Sequence, residues 1–193
     1  MDGKIEAVVG GGKVGIGIES TIIDLTCDPP MILRPGYITR EMLLEVLGDV
    51  VVDAAILSEN ADKNFRPKAP GMKYKHYAPK GDLTIVEGSP ENVIPVINSL
   101  TDEAQKCGRA AAVIATDETA GKYTCGCVFS IGSRAREESI AANLYDILRK
   151  MDTLKMDVIY SESYNDGGLG QAIMNRLLKA AGHQVIDADH DIL

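Results

Sequence analysis

Residues 82–115 read DLTIVEGSPENVIPVINSLTDEAQKCGRAAAVIA, and the order of apolar and polar residues within them decides the fold. Leu83–Val86 is a short apolar run, the mark of a strand buried on both faces. Ser89-Pro90-Glu91 then supplies a capping hydroxyl, a proline at the first helical position and an acid in the first turn. Val93, Val96, Ile97, Leu100 and Ala104 recur on one helical face, and Pro95 among them predicts a bend. Ala110–Ala115 is apolar throughout again, so the stretch is a strand, a helix and a second strand.

The same alternation continues downstream. Cys127–Ile131 reads as a strand, and a helix over 137–151 presents Ile140, Leu144, Ile147, Leu148 and Met151 on one side. Asp157–Tyr160 is a strand, Gly170–Ala181 a helix stopped by Gly182, and Gln184–Ile186 a last strand. Apolar strands alternating with amphipathic helices mean a parallel sheet covered on both faces, so residues 81–193 are expected to form a Rossmann-like α/β domain. Its glycine loops, Asp166–Gly170 and Ile131–Ser133, fall at the carboxyl edge of such a sheet, where ligands bind in this fold; glycines there also serve to turn the chain.

Upstream the pattern is different. Residues 5–9 (IEAVV) read as a buried strand ended by Gly10-Gly11-Gly12, and Ile16–Leu25 as a second strand with Ile16, Ile18, Ser20 and Ile22 on one face. Cys27–Pro30 turns the chain into a short strand at Met31–Arg34, giving a hairpin broken by Pro35-Gly36. Thr39 caps a short helix bearing Leu43, Leu44 and Leu47, with Gly48 as its stop, and Val50–Val52 is extended. Residues 1–53 are too few to bury much surface alone, because even a domain of ~60 residues buries only ~60% of what its unfolded chain exposes. They are expected to pack on the second domain or on another copy of the chain.

Between the two parts, residues 54–80 read as a connector. Its later portion, KNFRPKAPGMKYKHYAPK over 63–80, holds six of the protein's 20 Lys and Arg residues, three prolines and no acid. Such a segment is extended and semi-rigid. A solvated linker is one reading of the charge. The interleaved Tyr74, His76 and Tyr77 suit a second, contact with a polyphosphate or a nucleotide base through charge and stacking.

Composition excludes several classes. Across 193 residues the chain is 45% hydrophobic and 25% charged, which excludes disorder, collagen-like repeats and a disulfide-stapled miniprotein. The net charge of −8 argues against a protein that coats nucleic acid or an anionic membrane. There is no apolar run of ~18 residues, so no membrane span is expected. Cys27, Cys107, Cys125 and Cys127 form no CxxC pair and read as reduced thiols in a cytoplasmic protein, with no metal site. Gly10–Gly15 matches GxGxxG, but an extended run follows where dinucleotide binding needs a helix N-terminus.

Two residues stand out chemically. Ser20 is a hydroxyl on an isoleucine face, either bonded to backbone at a bulge or in contact with a ligand. Arg34 ends a strand directly before Pro35-Gly36. It makes either a surface ion pair, worth ~0–1 kcal/mol, or a bidentate grip on phosphate, worth ~1.5–3 kcal/mol per charged hydrogen bond.

Taken in order, Gly17-Ile18-Glu19-Ser20-Thr21-Ile22-Ile23-Asp24-Leu25, Ile32-Leu33-Arg34-Pro35-Gly36, Pro70-Gly71-Met72-Lys73-Tyr74-Lys75-His76-Tyr77-Ala78-Pro79 and Gly168-Leu169-Gly170-Gln171-Ala172-Ile173-Met174-Asn175-Arg176-Leu177 resemble the long, two-domain form of L-threonylcarbamoyladenylate synthase. The resemblance implies that residues 1–53 are the C-terminal remnant of a YrdC-like α/β catalytic domain, joined by the 54–80 linker to the Rossmann-like domain at 81–193. It implies an enzyme, a nucleotidyltransferase, that joins L-threonine, bicarbonate and ATP, with magnesium, into threonylcarbamoyl-AMP. A downstream threonylcarbamoyl transferase complex then delivers the group to tRNA, so this protein meets tRNA only indirectly.

By the same resemblance Ser20 would bind the threonine and Arg34 the ATP phosphates. Lys73, Tyr74, His76 and Tyr77 would gate the cleft, with no organic cofactor and no resident metal. The family's Lys-x-Arg phosphate motif occurs nowhere in the 193 residues, so the chain alone is expected to be inactive and to pair, if at all, as a homodimer through its N-terminal part. Ala69 and Tyr37 also depart from the family's pattern. The alternative is a non-enzymatic regulatory module in which the Rossmann-like part binds a nucleotide or a partner.

Overall fold

The computed structural model describes residues 3–7, 9, 12, 15–57, 77–165 and 167–190. β1 (Ile22–Asp24) and β2 (Met31–Arg34) form an antiparallel hairpin with Ile22 opposite Arg34. α1 (Arg40–Leu47) follows, its first turn capped by Thr39, whose hydroxyl accepts from the Met42 N–H at 3.4 Å, and its end marked by Gly48 at φ 78°. β3 (Val51–Val52) then lies parallel to β2, completing a three-stranded sheet. α2 (Ala54–Leu57) is a single turn.

Two expectations for this part are corrected. Residues 5–7 and 9 form no strand; Val9 is 96% exposed, and an apolar run holds a strand only where a neighbouring strand receives its N–H and C=O groups. Likewise only Ile22–Asp24 of the expected 16–25 strand is in a ladder. Gly17, Ile18 and Glu19 pack against helices instead, and residues 19–21 are held by side-chain hydrogen bonds.

The alternation predicted after Gly81 is present. β4 (Asp82–Glu87), α3 (Pro90–Lys106), β5 (Ala111–Ala115), β6 (Val128–Ser130), α4 (Glu137–Leu154), β7 (Val158–Glu162), α5 (Gly168–Ala181) and β8 (Val185–Asp187) build a five-stranded parallel sheet in the order β6-β5-β7-β4-β8. β7 therefore lies between β5 and β4, which the usual doubly wound order would pair directly. α3 covers one face, with Val93, Ile97 and Ala104 against Val86, Val113 and Val158. α4 and α5 cover the other, with Leu144, Leu148, Ile173 and Leu177 against Ile85, Ile114 and Ile159. Connections that run leftward along the sheet use one face and those that run rightward the other, as right-handed crossovers require.

The start of α3 differs from expectation. Ser89 occupies the N-cap, but its side chain makes no capping bond. The Asp189 carboxylate does so, accepting from the Ser89 N–H at 3.0 Å, the Ser89 hydroxyl at 2.7 Å and the Asn92 amide at 2.9 Å. A full negative charge suits a helix N-terminus better than a hydroxyl does. The helix continues through Pro95.

The N-terminal stretch packs against the parallel-sheet unit. Gly17, at φ 72°, lies so close to α4 that a Cβ there would come within 2.4 Å of the Ala141 carbonyl oxygen and the Ala142 Cα. Ile18 joins the core between α4, α5 and the sheet. By contrast α1 buries none of its residues, and Met42 and Val46 lie open to solvent.

Candidate functional site

The junction between the two sheets gathers the polar groups with the clearest chemistry. The hairpin register places Arg34 opposite Ile22, two residues from Ser20. Its guanidinium closes that gap: Nε donates to the Ser20 carbonyl oxygen at 3.0 Å, and Nη2 to the Ser20 hydroxyl at 3.4 Å. The Thr21 hydroxyl donates to the Ile38 carbonyl at 2.7 Å. Behind the segment, Gly36 approaches so closely that a Cβ on it would meet the Thr21 nitrogen at 2.4 Å and the Glu19 oxygen at 2.5 Å. Ser20 itself is exposed.

Glu19 points the other way, into the parallel-sheet unit. Its Oε2 accepts from the Tyr145 hydroxyl of α4 at 2.7 Å and from Arg176 Nε of α5 at 2.6 Å. Arg176 is only 5% exposed, and its Nη1 donates to Asn175 Oδ1 at 3.1 Å. Its Nη2 is buried without a partner among the described residues. Tyr77, at the end of the connector and at φ 58°, stacks on Tyr145 with ring centroids 4.1 Å apart.

The electrostatics follow from this geometry. Burial pushes the Glu19 carboxyl up, but the Tyr145 hydroxyl and the Arg176 charge outweigh it and hold the group below the usual carboxylate range. Burial, joined by repulsion from Tyr145's own acceptor Glu19, pushes the Tyr145 hydroxyl well above the ordinary tyrosine value. Lys179, one turn beyond Arg176, falls to about 8 through burial and repulsion from Arg176 and Arg34, with Glu19 opposing. Because Glu19 is depressed in the folded state, its contribution to stability is fully present above the unfolded value of 4.5 and is lost as pH falls through the lower folded value. Glu19→Gln is therefore expected to flatten the acid limb of a plot of thermal stability against pH. A limb identical to that of the parent would contradict this.

A second polar cluster lies at the carboxyl edge of the parallel sheet. Glu162, at the end of β7 with its side chain 3% exposed, accepts from the Tyr123 hydroxyl at 2.6 Å, from Arg134 Nη2 at 2.7 Å and from the Thr116 hydroxyl at 3.4 Å. Arg134 also lies over the Tyr164 ring, 5.4 Å from its centroid. The cavity above them, about 250 Å³, is walled by Pro90, Val93 and Ile94 of α3.

Three carboxylates occupy backbone donors in the loops around this edge. Asp189 sits on the N-terminus of α3, as described, and is held below the ordinary range by the Ser89 hydroxyl and the Asn92 amide. Glu137 Oε2 accepts the Gly170 N–H at 3.0 Å in the first turn of α5. Glu118 accepts from the Ser133 hydroxyl at 2.6 Å and the Arg134 N–H at 3.0 Å, contacts that hold its pKa at about 2. Among the described residues no group of three His, Cys, Asp or Glu side chains could hold a metal, and no helix is long and apolar enough to cross a membrane.

Compared with known proteins, residues 38–182 match the family described as the threonylcarbamoyl-AMP synthase C-terminal domain. The chain belongs to that family. It is 48% identical over 186 residues to the threonylcarbamoyl-AMP synthase of Bacillus subtilis (strain 168), a match that takes in 96% of this chain and 51% of that protein. The threonylcarbamoyl-AMP synthase of Pyrococcus abyssi (strain GE5 / Orsay) is 41% identical over 184 residues, covering 95% of this chain and 52% of its own length. The crystal structure of P. abyssi Sua5 complexed with L-threonine superposes with a TM-score of 0.85 at 41% identity, over 96% of this chain and 52% of that one. The chain thus spans about half the length of the curated relatives it matches.

In this member of the family the hairpin brings Ser20 and Arg34 into contact, and Tyr77 reaches the same junction through Tyr145. Lys73, Tyr74 and His76 lie outside the described residues. Glu19, Tyr145 and Arg176 complete the junction; Glu19 and Arg176 lie within the stretches that carry the family resemblance, but nothing in them marked these two residues for the site. One signal for Arg176 is in the sequence: it is a cation within the apolar helical period of Ile173, Leu177 and Ala180. Glu162 has a similar signal, an acid closing the strand run Val158–Glu162.

Proposed function

We propose that this chain serves in making threonylcarbamoyl-AMP from L-threonine, bicarbonate and ATP, in the cytoplasm and ahead of a transferase that modifies tRNA. Ser20 contacts the threonine and Arg34 the nucleotide phosphates, while residues 54–80 link residues 1–53 to the unit at 81–193 and gate the cleft. Magnesium arrives with the ATP. The observation that carries this reading is the pairing of an exposed serine hydroxyl with a guanidinium that reaches it, in a chain of this family.

Such a site works by orientation and charge: a hydroxyl fixes one substrate beside a cation that neutralises phosphate, and no covalent enzyme intermediate is needed. The chain holds no Lys-x-Arg triplet, so we expect it to be inactive by itself.

Pyrophosphate release from ATP, L-threonine and bicarbonate tests the reading. The chain alone is expected to release none. Fused to the amino-terminal half of the B. subtilis relative it is expected to turn over, and Ser20→Ala and Arg34→Gln to lower that rate roughly ten- to a hundredfold, the worth of one charged hydrogen bond. Equal rates with and without the fusion would overturn the expected inactivity. A fusion indifferent to both substitutions would overturn the assigned roles.

A further inference from the structure

We infer that Tyr145 and Arg176 of the parallel-sheet unit are positioning residues for the Ser20–Arg34 pair, acting through the Glu19 carboxylate. The inference deepens the proposed function and rests on it for its meaning, though not for its geometry.

Residues 19–21 lie outside any ladder. Besides the bond between Arg34 Nη2 and the Ser20 hydroxyl, four side-chain hydrogen bonds hold them among the described residues. Arg34 on the Ser20 carbonyl and Thr21 on the Ile38 carbonyl come from the hairpin part; Tyr145 and Arg176 on Glu19 come from α4 and α5. Anchoring the Glu19 carboxylate on α4 and α5 fixes the backbone next to Ser20, whose exposed side chain and carbonyl are the groups Arg34 reaches. Gly36 fills the space behind, so the segment cannot retreat.

The burial of Arg176 supports a role beyond stability. A buried ion pair is often no more stable than apolar residues of the same volume, and this guanidinium also leaves Nη2 buried and unpartnered among the described residues. What the pair supplies in return is direction: two donors from two helices converge on one oxygen and fix the rotation of the residue next to Ser20. Tyr77 stacks on one of those donors, so the end of the connector touches the same device. The other charged groups that face it are Lys179 and Arg34.

The test needs no ligand. In the full chain, hydrogen exchange of the Arg34 Nε–H, which the Ser20 carbonyl accepts, is followed by NMR together with the Ser20 amide shift. Arg176→Met is expected to speed that exchange roughly tenfold or more, since it removes a charge-assisted bond. Tyr145→Phe keeps the ring on Tyr77 and is expected to act in the same direction with a smaller effect; it decides the matter if Arg176→Met does not fold. Arg176→Lys restores part of the protection.

Ile173→Val, which weakens α5 from its core side, is expected to leave the exchange unchanged. Equal acceleration by Ile173→Val, or none in either junction variant, would overturn the inference. L-threonine titrated into the parent chain, read at the Ser20 amide, tests the assignment of Ser20 separately; its failure would leave the exchange result standing.

Discussion

Gly36→Ala is expected to be strongly destabilising and to strike the segment that carries Ser20. The new Cβ would sit 2.4 Å from the Thr21 nitrogen, 2.5 Å from the Glu19 oxygen and 2.7 Å from the Ser20 carbonyl carbon. All three are backbone atoms, so no side chain can swing away; the segment carrying Ser20 must move or Gly36 must. Overpacking of this kind destabilises by about 1–3 kcal/mol and sometimes more, and here it falls on residues pinned by Arg34, Tyr145 and Arg176. Denaturant midpoints should fall, and amide exchange at residues 19–21 should rise before the parallel sheet opens. Gly121→Ala is the control. A Cβ at that position meets nothing within 4 Å, so its effect should stay within about 0.5 kcal/mol.

Arg134→Met should be at least as costly for a different reason. The substitution leaves the Glu162 carboxylate, 3% exposed, with the Tyr123 and Thr116 hydroxyls as its side-chain partners among the described residues. Removing one partner of a buried ion pair destabilises by about 3–5 kcal/mol, because the charge left behind has lost both water and its counter-ion. Arg134 is 40% exposed, so water can reach part of the vacated space and the lower end of that range applies. The diagnostic comparison is the double variant Arg134→Met/Glu162→Leu. With both charges gone it should recover most of the loss in an equilibrium unfolding experiment. A double variant no more stable than the single one would mean that packing of the Arg134 stem against Tyr164, rather than charge, sets the effect.

The sequence carried the parallel-sheet unit well because each of its strands is rich in apolar residues and each helix repeats its apolar residues at the helical period. It said nothing of strand order: β7 separates β5 from β4 through packing choices made by α4 and α5, and local pattern does not encode them. The hairpin was legible too, but the approach of Arg34 to Ser20 was not, since it follows from the register that puts Arg34 opposite Ile22. The error at residues 5–9 arose from reading apolar character as a strand without asking which neighbour would complete its hydrogen bonds. The error at Ser89 arose from crediting the local hydroxyl when a carboxylate a hundred residues later was the better cap. Glu19 and Arg176 are 157 residues apart in the chain, so only the folded arrangement reveals that they meet.

The carboxylates at the carboxyl edge of the sheet have one more consequence. Asp189, Glu137 and Glu118 each occupy backbone N–H groups of the kind that receive phosphate in related folds. Each is tied to the chain and so competes as an intramolecular ligand, at an effective concentration on the order of millimolar or higher. A nucleotide that came to these loops would have to evict a resident acid before gaining its first contact. At these three positions the fold keeps the outline of an anion-binding edge while the seats are taken from within.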